Sequence, residues 1–127
     1  EQLPERVKNA KQFNVNKNNI EYRQQDIYNS PWWELDENIG LVFIDAMHTY
    51  ECAQKDFENS LKLPYKEQLF IVFDDYGAFP GNKKVVDEAL ESRIIKFVKF
   101  VGQESGFTYR LGKSLEDMEG LICVYEG

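Results

Sequence analysis

The chain has 127 residues, 43% of them apolar, and carries a formal net charge of −7 at neutral pH. That length supports one core but not two, and the apolar share is that of a folded protein. The negative balance argues against nucleic acid and against anionic membrane surfaces as partners, and no apolar run approaches the roughly 20 residues of a spanning helix. The first residues lack the charged and apolar regions of a signal peptide. Cys52 and Cys123 have no Cys or His neighbour at ligand spacing, so neither a disulfide nor a zinc site is expected. Both read as small buried hydrophobes of a reduced, cytoplasmic protein.

In chain order, Glu5 to Phe13 carries Val7, Ala10 and Phe13 at helical spacing, with Pro4 tolerated in a first turn. The polar run Asn14 to Asn19 ends that helix. Ile20 to Gln25 alternates apolar and polar residues, which predicts a short strand closed by Asp26. Tyr28 to Asn38 holds Pro31, Trp32, Trp33 and several acids and reads as a loop with a short helix. Leu41 to Asp45 does not alternate, so a strand buried on both faces is expected.

From Tyr50 to Leu63 the period becomes helical, with Ala53, Phe57 and Leu61 in one stripe and Pro64 at its end. Leu69 to Phe73 is a second buried strand, followed by a loop from Gly77 to Gly81. Asn82 is a plausible N-cap for a helix whose Val85, Val86, Ala89 and Leu90 face the core. Phe97 to Val101 and Leu121 to Tyr125 read as strands, with Phe107 to Leu111 extending the first. The sum is one α/β domain over 1–127, its sheet mostly parallel and ending in an antiparallel hairpin.

The chemistry concentrates at two strand ends. Leu41 to Ile44 runs into Asp45 and, three residues on, into the single histidine, His48. Leu69 to Phe73 runs into Asp74 and Asp75. Buried strands that release carboxylates at their C-terminal ends are how open α/β sheets build ligand sites. Three gathered anions are costly without a cation, and hard oxygen donors suit Mg²⁺ or Ca²⁺. An imidazole beside them is suited to proton removal at neutral pH. The plainer readings are strand-end acids that cap loops and a surface histidine without duty.

IDAMHTYE, FIVFDDYG and GNKKVVDEAL together resemble the class I S-adenosylmethionine-dependent methyltransferases. The nearest likeness is to metal-dependent O-methyltransferases of small molecules, including those acting on sugar hydroxyls. The resemblance implies a Rossmann-like sheet ordered 3-2-1-4-5-7-6 with strand seven antiparallel. It further implies Asp45, Asp74 and Asp75 as ligands of a divalent cation, Mg²⁺ foremost, and His48 as general base. Asp26 would accept from the adenine amino group, Ile27 would pack on the ring, and Glu1 would hold the ribose hydroxyls. No glycine-rich G-x-G turn precedes Asp26, so the chain corresponds to the C-terminal portion of such a domain.

The implied partners are S-adenosylmethionine and a small-molecule or sugar hydroxyl, with a homo-oligomer formed through exposed strand edges. A non-catalytic binding or scaffold domain of the same fold is the alternative. Trp32 and Trp33 could cover adenine but more simply anchor their loop. Tyr76 and Phe79 either line a substrate pocket or pack. Lys83 and Lys84 read as a solvated helix face, and Glu116, Asp117 and Glu119 as a solvated turn.

Overall fold

Two apolar runs become adjacent parallel strands, and the rest of the sheet follows from them. The computed structural model describes residues 5, 8, 19–26, 28–45, 47–104 and 118–127, with only the backbone of 103 and 104. Its elements are β1 (Leu41–Ile44), α1 (Tyr50–Ser60), β2 (Leu69–Phe73), α2 (Pro80–Glu91), β3 (Lys96–Glu104) and β4 (Met118–Tyr125). The four strands form one mixed sheet in the order β1-β2-β4-β3. The β1–β2 ladder is parallel, and β4 runs antiparallel to both β2 and β3. A C-terminal antiparallel pair was expected. The described sheet is otherwise mixed rather than mostly parallel, because β4 lies between β2 and β3 and so contributes two antiparallel ladders.

The chain divides into two compact units, residues 1–30 and 31–127. In the first, only residues 5 and 8 of the expected Glu5 to Phe13 helix are described, and both are helical. Residues 20–26 form no strand. Alternation marks a half-buried strand only where a partner strand and a core face exist, and here all but Tyr22 are exposed. The Phe107 to Leu111 extension, Glu116 and Asp117 lie outside the described residues. No helix among the described residues is long and apolar enough to cross a membrane.

In the second unit the alternation of β2 decides the layering. Leu69, Ile71 and Phe73 are buried on one face, together with Leu121 and Cys123 of β4. Against them pack Ala53 and Phe57 of α1 and Val85, Val86 and Ala89 of α2. Burial pushes the Cys123 thiol up to about 12, so it is an inert core residue. Trp32 and Trp33 meet edge to face and pack on this core, anchoring their loop.

Strand β1 departs from expectation. Leu41 and Phe43 are 55% and 57% exposed, although the run does not alternate in sequence. Composition suggests a doubly covered strand, but β1 is the edge of the described sheet, and Leu41 and Phe43 lie on the face opposite Val42 and Ile44, which pack on the core. Helix α2 begins at Pro80 with Phe79 as its N-cap, not at Asn82. Proline's fixed φ and missing N–H favour the first helical position.

Helix α1 buries Asp56, Asn59 and Ser60, which its apolar stripe does not foretell. Ser60 Oγ donates to the Asp56 carbonyl at 2.7 Å, and Lys62 Nζ donates to Asn59 Oδ1 at 3.1 Å. The Asp56 carboxylate atom Oδ2 has no partner among the described residues. Desolvation raises the pKa of this carboxyl. A raised folded pKa means stability is lost as pH rises through the window between the ordinary and the raised value. Asp56→Leu is therefore expected to stabilise the protein by about 1–3 kcal/mol at neutral pH. Urea denaturation should show that gain shrinking as pH falls through the raised value toward the ordinary aspartate range; a pH-independent loss would contradict it.

Candidate metal centre

Register builds this site. Ile44 stands opposite Phe73 in the parallel ladder, and the Asp74 amide donates to the Ile44 carbonyl at 3.0 Å. The next residues, Asp45 and Asp74, therefore leave the sheet side by side. Asp75 follows with φ of 58°, a left-handed conformation that aspartate accepts more readily than most residues. The loop beyond is tied to β4, where the Tyr76 and Gly77 amides donate to the carbonyls of Glu119 and Met118, each at 2.9 Å. One carboxylate oxygen from each of Asp45, Asp74 and Asp75 lies within 4.8 Å of the others.

The electrostatics match that crowding. Burial raises the pKa of Asp74, and the neighbouring Asp45 and Glu119 raise it further against one backbone hydrogen bond from Asp75. A cation among these oxygens would relieve both penalties. The donor set is all carboxylate, which fits Mg²⁺, Mn²⁺ or Ca²⁺ rather than a thiophilic metal. Beneath it lies a cavity of about 10 Å³ lined by Ile44, Met47, Ala53, Phe73, Asp74, Asn82 and Val85, with room for about one water.

His48 follows β1 by four residues, just before helix α1. Thr49 caps that helix by accepting from the Cys52 amide at 3.3 Å. The imidazole Nε2 is 2.9 Å from Asp75 Oδ2, and its ring stacks on Phe79 with centroids 3.7 Å apart and planes 5° from parallel. Of the two aromatic residues left open by sequence, Phe79 thus belongs to the site. Tyr76 instead donates to Asp87 Oδ1 at 2.6 Å in a network with Lys83.

Lys83 is not a solvated side chain. It donates to Tyr76 Oη at 3.0 Å and to Asp87 Oδ2 at 2.9 Å. Burial lowers its pKa, but these hydrogen bonds outweigh burial and raise it overall. Lys84 is more exposed and lies over the Tyr50 ring.

Gly81 is a residue that sequence reasoning passed over. A Cβ there would sit 2.7 Å from the Tyr50 amide nitrogen and 2.9 Å from the His48 carbonyl oxygen. Glycine lets α2 approach the backbone that carries His48, and both contacts are to main chain, which cannot swing aside. Gly81→Ala is expected to cost about 1–3 kcal/mol, as overpacking does, and to displace His48. Thermal unfolding measures the first effect. An unchanged melting temperature would refute it.

Of the residues expected at the cofactor, Asp26 alone is described. Asp26 is exposed and accepts from the Tyr28 amide at 2.8 Å and from Asn29 Nδ2 at 3.1 Å, which lowers its pKa. That is the geometry of an aspartate-closed turn. Asp26 belongs to the first unit, and Glu1 and Ile27 lie outside the described residues.

Comparison with known proteins adds no identity. No family model, curated protein or solved structure matches the chain. The site therefore rests on its own geometry: three convergent carboxylates and an imidazole held by one of them and by an aromatic face.

Proposed function

We propose that the chain carries the cation-binding and proton-transfer part of an S-adenosylmethionine-dependent O-methyltransferase acting on a hydroxyl of a small molecule or sugar. The observation that carries this reading is the triad Asp45, Asp74 and Asp75, with His48 hydrogen-bonded to Asp75. The strand order β1-β2-β4-β3, with β4 reversed, supports a Rossmann-like methyltransferase sheet, since the family's order ends 4-5-7-6 with strand seven antiparallel.

Asp45, Asp74 and Asp75 would hold a divalent cation, Mg²⁺ by preference, as hard oxygen donors. The ion supplies electrostatic stabilisation of negative charge at the substrate oxygen. Asp75, accepting from His48 Nε2–H, fixes the tautomer that leaves Nδ1 as the basic nitrogen. Phe79 restrains the plane of the ring while Asp75 holds Nε2, so the imidazole is kept in one orientation beside the carboxylates. The methyl donor enters through the resemblance, which assigns adenine contacts to Asp26 and Ile27 and the ribose to Glu1. Aligning donor and acceptor would supply much of the acceleration.

A second reading, a non-catalytic domain of this fold, is favoured by Asp26, whose carboxylate is spent on a local turn with Tyr28 and Asn29. Calorimetric titration with S-adenosylmethionine and with Mg²⁺ or Mn²⁺ separates the two. Binding of both, with chelator-sensitive release of S-adenosylhomocysteine in a hydroxyl-acceptor screen, is expected from the enzyme. Cation binding without cofactor binding would favour the scaffold, and neither binding would end both forms of the proposal.

A further inference from the structure

Asn82 stands where its side chain has no local duty. At a helix N-cap it would accept from an amide of the first turn, but Phe79 occupies that position and Asn82 lies inside the first turn of α2. There its Oδ1 is buried and has no hydrogen-bond partner among the described residues. Asparagine is a poorer helix former than leucine, and a buried acceptor without a donor costs about 1–3 kcal/mol. Packing alone would be served better by an apolar side chain of the same shape.

The surroundings show what this oxygen can reach. Asn82 and Asp74 line the same cavity of about 10 Å³, and the other residues around it, Ile44, Met47, Ala53, Phe73 and Val85, are apolar. An amide oxygen and a carboxylate thus face one small space inside an apolar shell. Both are acceptors, so neither can satisfy the other, and each needs a hydrogen. A single water supplies both, giving one hydrogen to Asn82 Oδ1 and one to the Asp74 carboxylate, and the space is about right for one.

Both ends of that bridge are anchored. The Asp74 amide is tied to the Ile44 carbonyl, which fixes its backbone at the end of β2. On the other side, Gly81 lies against the main chain of His48 and Tyr50, and Val85 and Val86 are buried in the core, so Asn82 sits on a part of α2 that cannot shift. Carboxylates that ligate metals are themselves held by hydrogen bonds from a surrounding shell.

Resting on the cation reading above, we propose that Asn82 is a positioning residue of the metal centre. Through one enclosed water it holds the Asp74 carboxylate in the orientation that faces Asp45 and Asp75. Helix α2 thereby acts on the ion without contributing a ligand.

Mn²⁺ titration calorimetry on the whole chain and on two variants tests this. Asn82→Leu keeps the branched shape and removes the acceptor; it should bind Mn²⁺ about 10–100-fold more weakly than the parent. Its melting temperature in chelator should not fall, because the acceptor and its need for a donor leave together. Asn82→Asp keeps an acceptor in place and should retain or exceed the parent affinity. Equal affinities of the parent and Asn82→Leu would overturn this inference while leaving the triad standing, and equal losses in both variants would reduce Asn82 to packing. No Mn²⁺ binding by the parent would instead overturn the cation reading, and this inference with it. A crystal structure of the Mn²⁺-loaded chain should show a water bonded to both Asn82 Oδ1 and Asp74; no water between them would also sink the proposal.

Discussion

Asp74→Asn is expected to weaken divalent-cation binding on the order of 100-fold or more. Partners that merely orient a metal ligand are worth about 10–100-fold, and loss of a charged ligand should reach at least the top of that range. The same substitution should act oppositely on the ion-free protein. Burial and the charges of Asp45 and Glu119 raise the Asp74 pKa, so its ionised form is a burden without a cation. The sign follows from linkage: the penalty is complete above the raised pKa and fades as pH falls through it toward the ordinary value. At neutral pH, Asp74→Asn should therefore raise the melting temperature in chelator and lower it, relative to the parent protein, in saturating Mn²⁺. The backbone bond from Asp74 to Ile44 survives the change. A strand-end acid that only caps a loop predicts a loss under both conditions, so the crossover itself carries the test.

His48→Ala is the second large effect. A positioned general base contributes about 10²–10⁴ in rate, and the loss should fall on turnover. Affinity for cation and cofactor should change by less than about threefold, because the triad closes without the imidazole. The side chain is 42% exposed, so its removal should disturb the fold little. Phe79→Ala should lower turnover by a smaller factor, since it frees the ring plane while keeping the nitrogen, and Phe79→Tyr should restore it. Unchanged turnover in His48→Ala would remove the residue from the mechanism, and the stack on Phe79 would then be packing alone.

Much of this site is written locally. An apolar run ending in Asp45 with His48 three residues on, and another ending in Asp74 and Asp75, identify strand ends that bear acids. The structure brings the three acids together because the parallel ladder of β1 and β2 is in register at Ile44 and Phe73. What surrounds them was not legible. Phe79 over His48, Glu119 beside Asp74 and Gly81 against the His48 backbone come from distant segments. No period or motif in one segment encodes the distance to another.

The two misread strands show the same division from the other side. Ile20 to Gln25 has a strand's alternation yet forms none, because a strand exists only through its neighbour. Leu41 to Ile44 has a buried strand's composition yet lies on an edge, because burial depends on what stands beside it. The sequence by itself determined the element types between residues 41 and 101, the apolar faces of both helices, and which acids leave the strands. Only the tertiary structure decided that β4 enters between β2 and β3, that β1 lies at the edge of the described sheet, and that Asp56 Oδ2 is buried without a donor among the described residues. Backbone periodicity is a property of a dozen consecutive residues, whereas strand order and desolvation are properties of the packed whole.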